Sequence, residues 1–406
     1  KQNMAQKGVI KISKSGEVFS SVTEADGLYQ PVFSVQGLPG AVYEITAAED
    51  IITPDGTTRY SKGEIVDTVT TDETGLAESK PLYLGKYEIR EIKAPYGMVL
   101  NTEIRTAELV YAGQEIEITE TSASFYNERQ KAAVSLEKVL EQNKTFGIGM
   151  NGEISAVTFG LFAAEDLTAA DGSVIPADGL LEILSVDENG HAVCKTDLPF
   201  GGFYLKELST DEHYILSNEK HPIVFEYAGQ DAALVEIKAN DGKPIDNDMI
   251  YGEIHGLKKD EDGNALGGAV IGLFKADCTE FTRENAILTA TSAEDGGFSF
   301  ADVPYGNWIV REIEAPTGFV LSDETFAVTV DKDDAVIEVE IENTLIRGTV
   351  QLTKVDKDYP DNKLTGAEFA VYRDSNGNKE LDADDELLGT LTETGTGVYE
   401  MPDLIY

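Results

Sequence analysis

Residues 306–319 read GNWIVREIEAPTGF, and this stretch decides how the rest of the chain is interpreted. Alternate side chains of a β-strand share a face, so Trp308, Val310 and Glu312 are predicted to point in one direction. The aromatic and aliphatic side chains identify that direction as a hydrophobic core. Glu312 is therefore a carboxylate aimed into apolar surroundings, and such a group needs a buried partner.

Two earlier stretches repeat this arrangement. Residues 85–97 read GKYEIREIKAPYG and direct Glu91 inward by the same alternation. Residues 201–207 read GGFYLKE and do the same for Glu207. In that copy, residues 208–214 (LSTDEHY) replace the Ala-Pro-x-Gly turn that follows the other two strands. The chain is thus predicted to contain repeats that each bury one acid.

The composition indicates a folded, acidic protein of several domains. The 406 residues include 74 Asp and Glu against 32 Lys and Arg, and this formal charge of −42 repels nucleic acid and anionic membranes. A hydrophobic content of 41% is too high for a disordered acidic chain. Cys194 and Cys278 do not make a disulfide framework. No apolar run could span a bilayer, so an export signal or anchor is expected outside this chain.

Lysine and asparagine landmarks divide the chain into repeats. Each repeat starts with a Gly or Ala six residues before a Lys, and an Asn stands eleven residues before the next of these lysines. The lysines are Lys14, Lys138, Lys258 and Lys354, and the asparagines are Asn127, Asn247 and Asn343. The predicted domains are residues 1–129, 130–248, 249–344 and 345–406. Because the linkers between them are very short, the domains are predicted to form a rod.

The predicted fold class is all-β. Short alternating runs bounded by turn pairs predict strands throughout, and helical periodicity is nearly absent. We therefore predict tandem Ig-like β-sandwich domains arranged as a rod. The fourth repeat has Lys354 but stops before any equivalent of Glu312 or Asn343. It is predicted to be the incomplete N-terminal part of a domain in a longer protein.

The same alternation places lysines and asparagines on the inward faces. Ile10 and Ile12 share a face with Lys14, and Phe125 shares one with Asn127. Equivalent patterns occur in the second and third repeats. Each complete repeat is therefore predicted to bury one Lys, one Glu and one Asn.

Two other residues compete for these positions. Lys11 falls on the solvent-facing side of the first strand, so it is not preferred. Asn240 competes with Asn247 in the second repeat. Asn247 is preferred because residues 247–252 match residues 343–348 position by position.

A covalent bond would remove the cost of burying these charges. If the Lys amine attacks the Asn side-chain amide, ammonia leaves and a neutral amide joins the first strand to the last. The amine must be uncharged, which an apolar site favours by lowering the pKa of the lysine. A buried Glu can donate or share the proton that the carbonyl oxygen needs, and the folded sandwich holds the groups together.

The ordered motifs resemble the CnaB/SpaA-type isopeptide-forming domains of Gram-positive surface adhesins and pilins. The matching elements are the Lys-x-Asp start at residues 258–260 and 354–356, and the Gly-Ala-x-aromatic element at residues 40–43 and 366–369. The Glu strand with its Ala-Pro-x-Gly turn and the terminal Asn complete the pattern. The resemblance covers essentially the whole chain.

The resemblance implies spontaneous Lys–Asn isopeptide bonds, each assisted by the intervening Glu. The implied sets are Lys14, Asn127 and Glu91; Lys138, Asn247 and Glu207; and Lys258, Asn343 and Glu312. The second set departs from the family pattern because its loop differs. The alternative is that these are salt-bridged or snorkelling residues on half-exposed edge strands. An intact mass without loss of ammonia would exclude the bonds.

Residues 374–385, DSNGNKELDADD, place oxygen ligands at the positions of a calcium-binding loop. The candidate ligands are Asp374, Asn376, Asn378, Glu380, Asp382 and Asp385. Lys379 replaces the expected Gly, and the last acid is shorter than the expected Glu, so a solvated acidic hairpin loop is the favoured interpretation. No cofactor is expected to be required, and Ca²⁺ is the only candidate ion.

These features predict a stalk segment of a cell-surface adhesin, exported and attached to a Gram-positive cell wall through a region outside this chain. Each bond would form once, so the protein is not expected to be a turnover enzyme. Residues 359–363 read YPDNK, in which Asp361 stands where a pilin motif would need Lys. A pilus backbone is therefore less favoured than a stalk.

The rival hypothesis is a module that binds a host extracellular matrix protein or a glycan. Longer insertions in the first repeat, at residues 29–37 and 51–63, are where such a ligand would bind. Neither hypothesis calls for nucleic acid or for membrane insertion of this segment, and a monomeric rod is expected. Binding to matrix or glycan arrays would favour the module, whereas heat and protease resistance without binding would favour the stalk.

Overall fold

The computed structural model describes residues 4–406 and divides the chain into two compact units, Lys1–Asp248 and Met249–Tyr406. The described residues form strands nearly throughout, with two short 3-10 helices at Glu153–Ala156 and Ala239–Gly242, so the all-β prediction is confirmed. The unit boundary falls at one of the three predicted domain boundaries. The division into four domains and the rod stay predictions. Within the described part, no helix is long and apolar enough to cross a membrane.

The first sandwich lies in the first unit and has two facing sheets. Its strands are β1 (Lys7–Ala25), β2 (Leu28–Gly37), β3 (Val42–Ala47), β4 (Ile51–Ile52), β5 (Thr58–Tyr60), β6 (Ile65–Thr70), β7 (Leu76–Glu78), β8 (Leu82–Tyr83), β9 (Gly85–Lys93), β10 (Ile104–Leu109) and β11 (Ile118–Asn127). One sheet has the order β11-β1-β2, with β7 and β8 also paired to β1, and the other has the order β10-β9-β3-β6. Strands β4 and β5 form a separate hairpin.

The first and last strands of this sandwich are parallel neighbours. Strand β1 pairs with β11 so that Lys14 lies opposite Phe125 and Gly16 opposite Asn127. Ile10 and Ile12 are buried in the core between the sheets, as the alternation predicts. The second half of β1 continues with β2 as a long antiparallel hairpin.

The second sandwich lies in the same unit. Its strands are β12 (Lys131–Leu140), β13 (Thr158–Ala163), β14 (Leu167–Thr168), β15 (Val174–Ile175), β16 (Leu180–Ser185), β17 (His191–Val193), β18 (Gly201–Ser209), β19 (Lys220–Phe225), β20 (Leu234–Lys238) and β21 (Ile245–Asn247). One sheet is β17-β12-β20, with β21 also on β12, and the other is β16-β13-β18-β19. Strands β14 and β15 form a hairpin.

The last strand of the second sandwich is interrupted. Strand β20 pairs with the start of β12, whereas β21 pairs with its end, with Lys138 opposite Ile245. The 3-10 helix Ala239–Gly242 separates them, and Asn240 and Asp241 have φ values of 52° and 54° within it. This insertion is looped out, so Lys138 still lies opposite the residue two before the terminal Asn.

The third sandwich belongs to the second unit and repeats the arrangement without an interruption. Its strands are β22 (Tyr251–Asp260), β23 (Val270–Lys275), β24 (Leu288–Thr291), β25 (Gly297–Pro304), β26 (Gly306–Glu314), β27 (Phe326–Val330) and β28 (Ala335–Asn343). The sheets are β25-β22-β28 and β24-β23-β26-β27. Trp308 is buried and its Nε1 donates to Pro304 O at 3.0 Å, in agreement with its predicted place in the core.

The fourth segment has fewer strands. They are β29 (Arg347–Thr353), β30 (Ala370–Arg373), β31 (Glu386–Thr390), β32 (Thr392–Gly395) and β33 (Val398–Ile405). The sheets are β29-β33-β32 and β30-β31. Phe369 packs edge-on against the buried Tyr399, with ring centroids 5.0 Å apart. Lys354 is exposed to solvent.

Candidate functional site

Each of the three complete sandwiches contains one buried Lys, Glu and Asn. The Lys lies on the first strand opposite the residue two before the Asn, the Asn ends the neighbouring parallel strand, and the Glu projects from a strand of the opposite sheet. All nine side chains are at most 4% exposed: Lys14, Glu91, Asn127, Lys138, Glu207, Asn247, Lys258, Glu312 and Asn343. The structure therefore brings each predicted set together, since the strand order closes the two sheets over it.

The first triad is fully interconnected. Lys14 Nζ donates to Asn127 Oδ1 and lies 3.0 Å from Glu91 Oε1. Asn127 Nδ2 donates to both carboxylate oxygens of Glu91, at 3.1 and 3.0 Å. The hydroxyl of Tyr43 also lies 3.4 Å from Glu91 Oε1. Amine, amide and carboxyl groups are thus in mutual contact in a site closed to solvent.

The third triad has the same members in a looser arrangement. Lys258 Nζ lies 3.7 Å from Glu312 Oε1 and donates to Ile341 O at 3.1 Å. Asn343 Nδ2 donates to Glu312 Oε2 at 2.8 Å and to Val320 O at 2.7 Å. The amine therefore contacts the backbone of the strand that carries the Asn.

The second triad separates the amine from the carboxyl group. Lys138 Nζ donates to two backbone carbonyls, Val139 O at 2.8 Å and Ile245 O at 3.0 Å. Asn247 Nδ2 donates to Glu207 Oε2 at 2.8 Å and to the Thr210 hydroxyl at 3.2 Å. The Glu–Asn pair is therefore made, while the lysine is held by the backbone beside it.

Burial lowers the pKa of all three lysines. The main cause at Lys14 and Lys258 is desolvation, which the nearby carboxyl groups partly oppose. Desolvation lowers the pKa of Lys138 to about 8, opposed by Glu207. Each site therefore favours the uncharged amine, the form that acts as a nucleophile.

Each Glu is also fixed by a backbone amide that the sequence reasoning missed. Glu91 Oε2 accepts from the N–H of Asn101, Glu207 Oε2 from that of Ser217, and Glu312 Oε2 from that of Ser322, at 2.8 to 2.9 Å. Each donor stands ten residues after its Glu. That constant separation was visible in the sequence, but the donor residue types differ.

The Ala-Pro-x-Gly turn holds the linker that follows the Asn. Gly97 O accepts from Gln130 N at 2.9 Å, and Gly318 O accepts from Ile346 N at 2.8 Å. These hydrogen bonds tie the turn to the chain just beyond the terminal Asn. Tyr43, the aromatic residue of the Gly-Ala-x-aromatic element, also contacts Glu91. From the sequence, this element was interpreted only as a structural marker.

The two competing residues lie elsewhere. Lys11 is exposed and pairs with Glu120. Asn240 lies in the inserted 3-10 helix, where its Nδ2 donates to Lys243 O and Pro244 O at 3.3 and 3.2 Å. Asn247, in contrast, contacts Glu207.

The calcium-loop candidates form an exposed loop held by internal hydrogen bonds. Asp374 accepts from the N–H groups of Asn378 and Lys379, and Asp382 accepts from the side chains of Asn376 and Asn378, while Asp385 Oδ1 accepts from the N–H of Ser375. Among residues 4–406, no group of three or more His, Cys, Asp or Glu side chains is placed to hold a metal ion. Calcium binding stays a prediction, and a thermal shift on calcium titration would test it.

The two insertions of the first repeat have different environments. Residues 29–37 lie in β2, where Tyr29 packs against the core of the second sandwich and Gln30 Nε2 donates to Leu181 O at 2.8 Å. Residues 51–63 include the β4–β5 hairpin, whose Ile52 is 58% exposed. The second insertion therefore offers an open surface, and in the first insertion only residues 34–37 are exposed.

Comparison with known proteins identifies the type of domain. A family model described as the SpaA prealbumin-like fold domain matches residues 34–123 and 252–345. These segments fall in the first and third sandwiches and contain Glu91, Glu312 and Asn343. These two segments are therefore similar to the SpaA-type domain. The resemblance to CnaB/SpaA-type domains is thereby confirmed.

Known relatives and structures extend this similarity. The trypsin-resistant surface T6 protein of Streptococcus pyogenes serotype M6 is 36% identical over 81 residues, which are 20% of this chain and 15% of that protein. The structure of the Bacillus anthracis TIE protein covers 84% of this chain and 51% of its own, with a TM-score of 0.56 and 21% identity, which shows a shared fold. BcpA, the major pilin subunit of Bacillus cereus, covers 84% of this chain and 100% of its own, with a TM-score of 0.36 and 16% identity. The chain thus spans only part of the first two.

Proposed function

We propose that this chain is a stalk segment of a Gram-positive surface protein, stiffened by spontaneous Lys–Asn isopeptide bonds. The burial of one Lys, one Glu and one Asn together in each of three sandwiches, two of which match the SpaA domain model, carries the proposal. Since the Lys and Asn lie on the first and last strands, a bond between them closes nearly the whole sandwich into a loop. We propose a cell-surface location because the T6 relative is named a surface protein.

The reaction needs only groups that each triad contains. The neutral Lys amine attacks the Asn side-chain carbon, and a new C–N bond forms as the carbonyl oxygen becomes an oxyanion. The Glu donates a proton toward that oxygen and accepts one from the attacking nitrogen. The Glu passes the proton from the attacking nitrogen to the amide nitrogen, the C–N bond to that nitrogen breaks and ammonia leaves. The proton on the oxygen returns to the Glu as the carbonyl group re-forms. A neutral amide replaces the amine, and the Glu is regenerated.

Unpaired oxygens in the second and third triads support a proton-carrying Glu. Within the described chain, Asn247 Oδ1 and Asn343 Oδ1 are buried without a hydrogen-bond partner. A buried unpaired acceptor is costly. In the second triad, turning the Asn247 amide by half a rotation brings Oδ1 to Glu207 Oε2 and the Thr210 hydroxyl, and a protonated carboxyl group donates to it there. That contact polarises the carbonyl group for attack.

The bond also has a mechanical purpose. Force applied along a stalk enters at the first strand and leaves at the last, so a covalent bond between these strands prevents the sandwich from extending. The tie also restricts the unfolded chain as a disulfide would, but without an oxidising environment. The bond forms once per triad, so we propose no turnover activity for this segment.

Intact-mass measurement tests the proposal. We expect the full chain to be lighter than its sequence by three ammonia molecules, with crosslinked peptides that join residues 14 to 127, 138 to 247 and 258 to 343. The matched control replaces Lys14, Lys138 and Lys258 with Arg, which keeps the charge but gives no product. A wild-type mass equal to that of the sequence would refute the bonds.

A further inference from the structure

The junction between the first and second sandwiches is a built docking site. The Ala-Pro-Tyr-Gly turn of residues 94–97 lies on the loop of residues 227–230, which reads YAGQ. Gln230 Oε1 accepts from Ala94 N and Gln230 O accepts from Leu100 N, both at 2.9 Å. The Tyr227 hydroxyl donates to Met98 O at 3.0 Å. Hydrogen bonds to backbone groups on both sides of the turn therefore fix the two sandwiches together.

The turn fits closely against an aromatic ring. Gly97 has φ +83°, and a Cβ at this position would lie 2.9 Å from Phe200 Cε2. The ring of Tyr96 lies 4.9 Å from that of Tyr227. Glycine is therefore required both by the conformation of the turn and by its distance from Phe200.

The linker residue Gln130 holds the loop of residues 227–230 through side-chain hydrogen bonds. Gln130 Nε2 donates to Gly229 O at 3.1 Å and to Ala232 O at 2.6 Å, and Gln130 Oε1 accepts from Ala228 N at 2.8 Å. Gln130 is fully buried. These three hydrogen bonds hold the YAGQ loop in the shape that receives the turn.

The first sandwich carries the same device at its own opposite end. Residues 111–114 also read YAGQ, and Gln6 stands eight residues before Lys14, as Gln130 does before Lys138. Gln6 Nε2 donates to Gly113 O at 3.2 Å and also to Ile116 O, and Gln6 Oε1 accepts from Ala112 N at 3.1 Å. The three hydrogen bonds of Gln130 are thus reproduced one for one.

This second copy of the device is not covered in the described part of the chain. Tyr111, the equivalent of Tyr227, is 62% exposed. A groove of about 940 Å³ lies beside it and is lined by Ile52, Leu84 and Gln114 among others. Leu84 occupies the position before the Glu strand that Phe200 occupies in the second sandwich. Tyr111 and Ile52 are exposed apolar side chains at this groove, and the hydrogen bonds of Gln6 are partly open to solvent, whereas Gln130 is fully buried beneath the seated turn.

We propose that the groove at Gln6 and residues 111–114 is the docking face for another SpaA-type domain, which inserts an Ala-Pro-aromatic-Gly turn as residues 94–97 do. The inference concerns how domains join and does not depend on the covalent bonds. The existing junction identifies this occupant, because the same YAGQ loop and supporting glutamine receive residues 94–97 there.

A second copy of the same chain is a poorer occupant. Its turn at residues 94–97 is already seated on the second sandwich. Its other Ala-Pro-x-Gly turn, at residues 315–318, has Thr317 where the aromatic ring of Tyr96 is needed. The turn is therefore expected from a different SpaA-type domain joined ahead of Gln6, in the place that the first sandwich holds relative to Gln130.

A tandem chain tests the proposal. An additional copy of residues 1–129 is placed directly ahead of Gln6 of the full chain, so that the added turn can reach the groove. Hydrogen exchange is then followed by mass spectrometry in the peptide of residues 110–117, which is present twice. We expect two equal populations: one exchanges as in the parent chain, and one exchanges at least about tenfold more slowly.

The same experiment reports whether the added copy folds. The core peptide of residues 85–93 exchanges as one slow population if both copies are folded. With both copies folded, a single fast population in residues 110–117 would overturn the proposal. Substituting Gln6→Ala in the junction should abolish the slow population, whereas Thr106→Ala, at an exposed strand position, should leave it.

A variant of the unaltered chain tests the proposal independently of whether the added copy folds. Phe200→Leu in the unaltered chain gives the existing junction the leucine found at the open groove. We expect exchange in residues 94–100 and 226–233 to remain within about twofold of the parent, since the hydrogen bonds that seat the turn are unchanged. A loss of protection of more than about tenfold would show that a face with Leu84 cannot seat the turn, and would overturn the proposal.

Discussion

The first and second triads contain the same residue types but hold their lysines differently. Lys14 contacts both its Glu and its Asn, whereas Lys138 donates to two backbone carbonyls beside the Glu–Asn pair. The register of the lysine is the same in both sandwiches, because the insertion at Ala239–Gly242 is looped out before β21. An interruption of the last strand therefore leaves the triad residues in the same register. The two triads differ in which groups the lysine amine contacts.

The largest expected effect comes from removing the acid of one triad. Glu91→Gln should stop bond formation between Lys14 and Asn127, since the amide cannot carry the proton, and a positioned acid–base group contributes about 10²- to 10⁴-fold. Glu207→Gln should do the same to the second bond only. Peptide mapping of each variant measures the loss. If Glu207→Gln left the second bond intact while Glu91→Gln abolished the first, the two triads would not share a mechanism.

In the three complete sandwiches, alternation along strands was sufficient to predict the buried Lys, Glu and Asn side chains. It placed Ile10, Ile12 and Lys14 on one face because neighbouring strand residues point to opposite sides of a sheet, and the structure buries all three. The order of motifs also gave the all-β class and the type of domain. What alternation cannot give is the position of a side chain within the core.

The remaining features depend on contacts between distant segments. The N–H group of Asn101 that binds Glu91 carries no side-chain signal, because any residue but proline offers a backbone N–H. The amine of Lys138 reaches Ile245 O because the four residues 239–242 are looped out of the last strand. Asn240 and Asp241 in this insertion adopt left-handed backbone conformations, which the sequence pattern did not reveal. The seating of residues 94–97 on the second sandwich likewise required the structure.

Loss of one covalent tie should lower thermal stability next most strongly. The first bond would close a loop spanning 113 residues. By analogy with disulfides, a loop of about 100 residues is worth about 4.7 kcal/mol, so Asn127→Ala should lower the melting temperature by about 10 °C or more. Asn247→Ala removes a bond that would close a loop of similar length, and it should lower the melting temperature by about as much. Differential scanning calorimetry compares them, with Asn240→Ala as the control that keeps every triad.

A much smaller decrease in melting temperature in Asn247→Ala than in Asn127→Ala would show that the two sites differ. It would indicate that the second bond forms in few molecules, which is the result expected if the backbone contacts of Lys138 hold the amine away from the amide. Mass spectrometry of the parent chain would then show an incomplete second bond.

A pH effect of a few degrees is expected where the lysine stays unreacted. In Asn247→Ala the Lys138 amine remains, and burial lowers its pKa to about 8 from the ordinary lysine value of 10.5. Between these values the unfolded state binds more protons, so stability should rise as pH increases from about 8 toward 10. Below about pH 8 both states are protonated and the cost of burying the charge is fully present. Melting temperatures across this range measure the effect.

The control for this prediction is the double variant Lys138→Met with Asn247→Ala, which has no amine to titrate. Its melting temperature should lack the rise seen in the single variant. If both variants gave the same profile between about pH 7 and pH 10, burial of Lys138 would not control the charge of its amine.

The smallest effect concerns the residue opposite the acid in the neighbouring strand. Tyr43 pairs with Glu91 in register and Phe159 pairs with Glu207, so the Tyr hydroxyl is a difference between the two sites. At 3.4 Å from Glu91 Oε1 it makes a weak hydrogen bond, and Tyr43→Phe should slow the first bond only about threefold. Phe159→Tyr is the reciprocal change. The time course of ammonia loss in freshly translated chain measures both rates. Complete loss of the first bond in Tyr43→Phe would make the hydroxyl an essential proton donor, and a site with Phe159 could not then react in the same way.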